Sequence, residues 1–289
     1  LNAVNWIGIN IWLYGEELDL ANCQIKEFKR VLHMKEGYLE RSFIAILPSG
    51  NQVEVNVKRF CSIVDDQVGA IRYSIKPLNI DGEFAIVPYL DFDVKNQDSN
   101  YGEKFWEETA KSATENYAYV SASTKKTDFH VCAGMRYGVE KNGEKLPVSG
   151  NPYIREKFVS QSLKATAKKG EELVIYKYVA ITSSLNHSKS NLVETNEKVL
   201  NKAFLKGFDK LMAEHIQAWA NKWTDSDIVI DGDIAAQQGI RFNIFQLNQT
   251  YTGEDARLNL GPKGFTGEKY GGATYWDTEA YCIPFYLST

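Results

Sequence analysis

The sequence is poor in the residues that build metal centres and disulfide frameworks. Of its 289 residues, four are cysteine and four are histidine. The cysteines never form a C-x-x-C pair, and no two histidines stand at the spacing of metal ligands. These absences predict free, buried thiols and no metal site.

Long apolar runs are also missing. No stretch approaches the roughly 18 apolar residues of a membrane span, and the N-terminus lacks the basic and apolar segments of a signal peptide. The sequence therefore predicts a cytoplasmic protein with no membrane partner. Because the chain begins with Leu1 rather than methionine, on a strand-like stretch, we expect the natural N-terminus to lie further upstream.

An excess of positive charge is absent as well. The 33 lysines and arginines are outnumbered by 37 aspartates and glutamates, which gives a net charge of −4. A nucleic-acid-binding surface needs a basic patch or stripe to attract phosphates, and here basic and acidic residues are interspersed. We therefore expect no nucleic-acid partner. Hydrophobic residues make up 44% of the chain, enough to fill a sizeable core.

What the sequence does contain, up to about residue 185, is a series of alternating polar and apolar stretches separated by turn residues. This pattern is typical of a β-sandwich. The stretches are Val53–Val57, Ile71–Ile75, Tyr117–Ser121, Phe129–Ala133 and Leu173–Ile181. Between two further stretches, Asn142-Gly143 predicts a two-residue hairpin turn. One helix is predicted to interrupt the strands, at Glu103–Lys111.

After Ser190 the apolar residues recur at steps of three and four, which is typical of an amphipathic helix. The periodicity continues as far as Trp223, and the helix is expected to end at Asp225–Asp227. Asn191 and Glu194 are the predicted capping pair at its start.

A second helix is predicted to begin after an N-cap at Asp233. Loop residues then extend from Thr252 to about Gly272. Near the end of the chain, Pro284 lacks an amide proton, so only a short or kinked helix is expected there.

The most distinctive cluster is Tyr275–Glu279, which contains adjacent Trp276 and Asp277. Sugars present apolar C–H faces to aromatic rings and hydroxyls to charged acceptors, so an indole and a carboxylate can hold one pyranose together. An alternative is equally open at this point: Trp276 is a core residue and Asp277 caps the following helix. Asp277 and Glu279 point about 200° apart around a helix, which excludes them as the acid and base of a glycosidase.

Other residues on the two helices have structural interpretations. Arg241, early in the second helix, needs a partner if it is buried; a structural ion pair is the leading interpretation and a ligand contact the alternative. His215, Trp219 and Trp223 share one helical face and are predicted to pack in the core rather than to act in catalysis.

The glycine-rich loop Gly267–Gly272 has the spacing of a phosphate-binding P-loop, but Ala273 stands where the essential lysine belongs. No strand precedes it either. We therefore expect only a mobile or tightly turned loop, in which Glu268 is a solvated charge. The same interpretation is favoured for Glu254.

The run Lys263–Glu279, preceded by Arg241–Leu247 and by the aromatic helix face, resembles glycoside hydrolase family 65. Members of that family include the inverting maltose, trehalose and kojibiose phosphorylases. The resemblance extends over the whole chain, and its C-terminal motif is the specific part. It implies a mainly β protein in which an N-terminal, supersandwich-like β-sandwich is followed by a helical linker and the first helices of an incomplete (α/α)6 barrel. The corresponding units are expected at residues 1–188, 189–232 and 233–289.

The resemblance also implies a reaction, the splitting of a disaccharide by phosphate, with maltose as the expected substrate. In the family the Trp-Asp of this motif lines the subsite for the transferred glucosyl unit, which corresponds to Trp276 and Asp277; Arg241 stays the weaker binding candidate. The general acid and the phosphate site of the family plan lie beyond Thr289. No catalytic residue is therefore assigned within the chain, which is expected to be inactive alone. No metal or organic cofactor is implied, and inorganic phosphate is the co-substrate.

Alternatives to a maltose phosphorylase remain open from the sequence. They are a trehalose or kojibiose phosphorylase, a related hydrolase, and a non-catalytic carbohydrate-binding or assembly module. Where the family often has Gly-His before the aromatic-Trp-Asp, this chain has Gly272-Ala273. The resemblance therefore specifies the reaction type better than it specifies the preferred disaccharide. Relatives tend to be dimers, and a homodimer of the full-length enzyme is expected.

Overall fold

The computed structural model describes residues 2–96, 102–262, 264 and 273–289. Within these residues, fourteen strands precede the main helices. The strands are β1 (Ile9–Leu13), β2 (Glu16–Glu17), β3 (Gln24–His33), β4 (Tyr38–Ile46), β5 (Gln52–Cys61), β6 (Val68–Pro77), β7 (Gly82–Asp91), β8 (Trp106–Ala113), β9 (Ala118–Thr124), β10 (His130–Lys141), β11 (Glu144–Lys145), β12 (Asn151–Arg155), β13 (Phe158–Ala167) and β14 (Leu173–Ser183).

The strands form two antiparallel sheets. The smaller has the order β12-β13-β7-β1-β2, and the larger has the order β3-β4-β5-β6-β14-β10-β9-β8, with β11 paired to β10. Alternate side chains of the two sheets meet in a core that includes Phe43, Val55, Ile75, Phe84 and Ile86. The predicted β-sandwich and the mainly β fold are confirmed.

The predicted hairpin at Asn142-Gly143 is confirmed. β10 pairs with β11 across this turn, with Lys141 opposite Glu144. Both turn residues have positive φ, 51° and 83°, which is the backbone geometry that an Asn-Gly turn supplies.

The predicted helix at Glu103–Lys111 is wrong, because residues 106–111 belong to strand β8 at the edge of the larger sheet and residues 103–105 are not helical. Trp106 is buried at the start of this strand, and its Nε1 donates to the carbonyl oxygen of Asn2 at 2.7 Å. A bulge between Glu108 and Ala110 interrupts the pairing with β9. Burial of the indole and pairing with β9 therefore outweigh the helix propensity of these residues.

The long amphipathic helix predicted after Ser190 is two helices, α1 (Leu192–Lys206) and α2 (Phe208–Ser226). Gly207 separates them with a φ of 81°, a conformation that favours glycine. The predicted end near Asp225–Asp227 is confirmed. The predicted cap at Asn191 is wrong, since its side chain makes no capping bond and accepts from Ser190 inside a preceding 3₁₀ turn.

The predicted cap of the next helix, α3 (Ile234–Thr250), is confirmed because Asp233 Oδ1 accepts from the Ala236 amide at 2.9 Å. Near the end, a π-helical turn (Thr278–Cys282) leads into the short helix α4 (Ile283–Ser288). The π turn and the proline in the first turn of α4 agree with the short, irregular helix predicted there.

Helices α1 and α2 cover the outer face of the larger sheet, where Leu200 and Phe208 pack against Tyr178 and Ala180. The buried amide of Asn196 fixes α1 to two neighbouring strands by donating to Cys132 O at 2.9 Å and Ala180 O at 2.8 Å. The predicted division into units 1–188, 189–232 and 233–289 stays a prediction. No helix among the described residues is both long and apolar enough to cross a membrane.

Candidate functional site

Trp276 lies on the surface, with 85% of the residue exposed. Asp277 is exposed beside it and makes no side-chain capping bond to the following turn. The alternative in which Trp276 is core and Asp277 is a cap is therefore wrong. An indole face and a carboxylate next to each other on the surface are compatible with a sugar subsite, and their contact with substrate stays a prediction.

The segment that carries Trp276 is held at two points. Thr278 is buried and its hydroxyl donates to the Leu260 carbonyl at 2.8 Å. Further along, the hydroxyl of Tyr286 donates to Leu247 O in α3 at 2.9 Å. The indole is thus exposed on an anchored turn. The glycine-rich loop Gly267–Gly272 and its Glu268 lie outside the described residues.

Arg241 forms the structural ion pair predicted for it. Its Nε and Nη2 donate to the two carboxylate oxygens of Asp227 at 2.8 and 2.7 Å, which joins α3 to the end of α2. These hydrogen bonds lower the pKa of the Asp227 carboxyl. Gln237, one turn earlier, donates to the Ile228 carbonyl at 2.8 Å and strengthens the same junction. The ligand contact that was the alternative for Arg241 stays a prediction.

The three aromatic residues predicted to pack on α2 do so against the β3–β4 hairpin. His215, only 1% exposed, donates through Nε2 to Gly37 O at 2.9 Å, and its Nδ1 accepts from the Ile63 amide at 3.3 Å. Trp223 Nε1 donates to Met34 O at 3.1 Å. Burial lowers the pKa of His215, so the ring is neutral and structural at pH 7.

Trp219 occupies the centre of this contact. Its ring stacks on Phe245 of α3, with centroids 4.8 Å apart, and also lies against Gly37. Its Nε1 is buried and has no acceptor among the described atoms. The hairpin, α2 and α3 are therefore clamped together by one indole, which sequence periodicity indicated only as a core residue.

Two large cavities, neither lined by Trp276 or Asp277, were not predicted from the sequence. One, of about 600 Å³, lies beside Trp219 and Phe245 and is bordered by Glu254 and Asp255. Arg257 lowers the pKa of Asp255 to about 2 and also binds the carbonyl of Leu185 after β14. Asp255 is held in this pair, and the cavity joins α2, α3 and the sandwich, with the carboxyl groups of Glu254 and Asp66 also at its border. Glu254 is exposed, as predicted.

The other cavity is an open groove of about 900 Å³ between β10, β14 and the α1–α2 junction. Tyr176, Tyr178 and Phe204 line it. Its residues are far apart in sequence, and no motif indicates it.

Cysteine chemistry adds no site. All four thiols are free, and only Cys132 is buried, so the predicted burial of the others is wrong. Burial raises the pKa of Cys132 to about 12, which keeps it an unreactive thiol. The described residues contain no cluster of three His, Cys, Asp or Glu side chains able to hold a metal ion.

Comparison with known proteins gives two family matches. The N-terminal domain of glycosyl hydrolase family 65 matches residues 1–222, and the central catalytic domain of the same family matches residues 241–289. These matches join the sandwich and helices to the segment with Trp276 in one family.

Individual relatives agree with these family matches. The chain is 40% identical to the maltose phosphorylase of Bacillus subtilis (strain 168) over 296 residues, covering 100% of this chain and 38% of that protein. It is 32% identical to the α,α-trehalose phosphorylase of Thermoanaerobacter brockii, covering 100% of this chain and 38% of that protein. It is 30% identical to the kojibiose phosphorylase of the same organism, covering 99% of this chain and 38% of that protein. The chain thus spans about 38% of the length of these relatives.

A solved structure gives the same result for the fold. A "Putative kojibiose phosphorylase from human microbiome" superposes with a TM-score of 0.90 at 27% identity, covering 99% of this chain and 37% of that one. The family match over most of the residues, the 40% identical relative and this superposition confirm the resemblance: the chain belongs to glycosyl hydrolase family 65.

Proposed function

We propose that the chain is the N-terminal part of an inverting disaccharide phosphorylase that converts maltose and phosphate into β-glucose 1-phosphate and glucose. The observation that carries the proposal is the 40% identity to a maltose phosphorylase over the whole chain. Identity to the named trehalose and kojibiose phosphorylases is lower, at 32% and 28–30%. Trehalose and kojibiose are therefore the alternative substrates.

The chemistry needs one carboxylic acid and one phosphate ion. The acid protonates the leaving glycosidic oxygen, and phosphate attacks the opposite face of the anomeric carbon, which inverts its configuration. Phosphate takes the place of the activated water of an inverting hydrolase, so the reaction uses no metal or organic cofactor. We place the general acid and the phosphate-binding residues in the part of the catalytic domain outside residues 1–289, and the enzyme in the cytoplasm as a homodimer.

Within this chain, Trp276 and Asp277 contribute to the glucosyl subsite. The exposed indole stacks on the C–H face of the sugar, and the carboxylate accepts hydrogen bonds from its hydroxyls. The anchoring of this turn through Thr278 supports the role, because a fixed turn limits the entropy lost on binding.

The test is an assay of phosphate-dependent glucose release with maltose, trehalose and kojibiose. The 289-residue chain should be inactive, and a version extended through the rest of the catalytic domain should be active, fastest with maltose. In the extended protein, Trp276→Ala should lower kcat/KM by roughly tenfold to a hundredfold, as expected for loss of a stacked aromatic ring. Tyr281→Ala is the matched control, since Tyr281 is an aromatic residue of the same segment with 78% exposure.

Other results contradict specific parts of the proposal. Phosphorolysis by the 289-residue chain contradicts the placement of the acid, and glucose release without phosphate contradicts the reaction type. Equal losses for Trp276→Ala and Tyr281→Ala contradict the subsite. Tight maltose binding to the 289-residue chain that Trp276→Ala leaves unchanged favours a non-catalytic carbohydrate-binding module.

A further inference from the structure

Three arginines lie together on the inner face of the larger sheet, at the end formed by β3, β4 and β5. Arg30 and Arg41 stand directly opposite each other on β3 and β4. Arg59 on β5 is two residues from Val57, the partner of Arg41, and is therefore its diagonal neighbour. Neighbours of these two kinds lie about 5 and about 7–8 Å apart, so the three guanidinium groups share one patch of the sheet.

None of these arginines has a carboxylate partner among the residues that the structure describes. The outer face of the same strands is different: Glu40 accepts from Asn56 at 2.9 Å and pairs with His33 at 3.1 Å and Lys58 at 3.9 Å. The sheet thus neutralises basic groups on one face and leaves three positive charges together on the other. Like charges placed directly opposite each other destabilise a sheet, so this arrangement calls for an anion.

The arginine side chains are positioned rather than free. Arg41 lies over the ring of Phe43 at 5.3 Å, and Arg30 lies over the ring of Phe28 at 6.0 Å. The pKa of Arg59 is lowered, first by burial and then by the charge of Arg41. Stacking of this kind holds the guanidinium plane and limits the entropy lost when it binds a ligand.

The arginines enclose a pocket of about 50 Å³, completed by Leu39 and Val57. A single water needs at least roughly 10–15 Å³ of such space, so the pocket has room for a few non-hydrogen atoms. That is the size of a tetrahedral oxyanion and is too small for a sugar ring. Arg30 is exposed, so the pocket is open to solvent on its side.

We propose that Arg30, Arg41 and Arg59 form a binding site for a phosphate-type oxyanion, either inorganic phosphate or the phosphoryl group of a sugar phosphate. Guanidinium groups bind such oxygens through paired, charge-assisted hydrogen bonds. The site stands on the geometry of β3, β4 and β5 and does not depend on the reaction proposed above.

The experiment titrates the 289-residue chain with inorganic phosphate and, separately, with glucose 1-phosphate, followed by ³¹P NMR and by the thermal unfolding midpoint Tm. A parallel titration with sodium chloride at equal ionic strength measures the general effect of salt. Phosphate should raise Tm more than sodium chloride does, because a ligand that binds only the folded state stabilises it. Arg41→Gln should weaken phosphate binding by about tenfold or more, as expected for losing a charged hydrogen-bonding partner.

Arg155→Gln is the matched control. It also removes one positive charge, but from an arginine already paired with Asp91 at 3.1 Å, so phosphate binding should be unchanged. In buffer without phosphate, Arg41→Gln should raise Tm because it relieves repulsion between like charges. If Arg41→Gln fails to fold, the exposed Arg30→Gln provides the same comparison.

The two ligands distinguish the sources of the anion. Binding of both, with a common dependence on Arg41, assigns the site to the phosphoryl group; binding of inorganic phosphate alone assigns it to the free ion. The proposal is overturned if neither ligand binds more strongly than chloride, or if Arg41→Gln and Arg155→Gln have the same effect.

Discussion

Helices α1 and α2 differ from α3 and α4 in how much of their apolar surface finds a partner. Residues at regular intervals along α1 and α2, such as Leu200 and Trp219, are buried on the sheet or against the β3–β4 hairpin. Helix α4 has no buried residue, and Leu287 at its end is 83% exposed. At the start of α3, Ile234 is 88% exposed. The later half of α3 contains buried residues, so the contrast with α1 and α2 is sharpest at the start of α3 and in α4.

The two regions therefore have different roles in the molecule. In the first region, the sheets, α1 and α2 bury one another, so substitutions there are felt throughout the fold. In the second, Trp276, Tyr281 and Leu287 are exposed within one short segment, which is typical of surfaces that bind another element or a ligand. The family match of residues 241–289 to a catalytic domain agrees with this contrast. Substitutions in the two regions test this contrast.

Gly37→Ala should have the largest effect, a loss of about 3 kcal/mol or more in the free energy of unfolding. A Cβ at Gly37 would lie 1.9 Å from Trp219 Nε1, and the residue has a φ of 76°. The substitution therefore combines left-handed strain with overpacking of a buried ring. Urea unfolding of the 289-residue chain measures it.

Gly50→Ala is the control for the backbone. Gly50 has a similar φ of 86° but nothing within 4 Å of the added Cβ, so its cost should be about 1–2 kcal/mol from strain alone. Equal costs at the two positions would show that the hairpin is not clamped by α2, and the comparison between the regions would lose its main support.

Lys177→Met should cost about 2–3 kcal/mol. Lys177 on β14 is completely buried, and its ammonium group donates to the carbonyls of Trp6, Gly8 and Tyr89 at 2.6, 2.9 and 2.7 Å, which joins the two sheets. Methionine fills the space but leaves buried acceptors without their donor. The free energy of unfolding is compared with that of Lys164→Met, at an exposed lysine of β13, which should change it by no more than about 0.5 kcal/mol.

Stability should depend on pH through His215. Burial lowers the pKa of His215 in the folded protein, although its hydrogen bond to Gly37 acts in the opposite direction. The unfolded chain, with a histidine pKa of about 6.5, then binds the proton more tightly. The contribution of His215 is complete above that value and is lost as the pH falls towards the lower folded pKa. Stability should therefore drop between pH 7 and pH 5, and less steeply in His215→Asn. Parallel profiles for the two proteins would contradict a buried, neutral ring.

Much of the first region was predictable because its signals are local. Alternation identified β5, β6 and β14, and Asn142-Gly143 identified its hairpin, since strand period and turn geometry are written in neighbouring residues. Strand β8 was missed because its conformation depends on burial of Trp106 and on β9. The break at Gly207 had a signal, a glycine within the periodic run, but periodicity alone continues through it.

Sites assembled from distant residues were harder to predict. Trp276 and Asp277 stood out because they are adjacent and match a family motif, whereas the clamp at Trp219 needs the hairpin glycine from far along the chain. The arginine pocket had a weak signal, since Arg59 continues the apolar face of Val53, Val55 and Val57 where a hydrophobic residue is expected. Only the register of β3 and β4 brings Arg30 and Arg41 together beside it.

The smallest expected effect is that of Leu287→Ala. Leu287 is 83% exposed in α4, so little apolar surface is lost and the free energy of unfolding should change by no more than about 0.5 kcal/mol. The same substitution at Leu200, which is 0% exposed in α1, should cost about 2–5 kcal/mol by leaving a cavity beneath the helix. In a version extended through the rest of the catalytic domain, Leu287→Ala should become costly if the new residues cover α4. A cost that stays near zero in the extended protein would mean that no other part of the protein packs against this surface. The two regions would then differ only in how exposed their apolar side chains are.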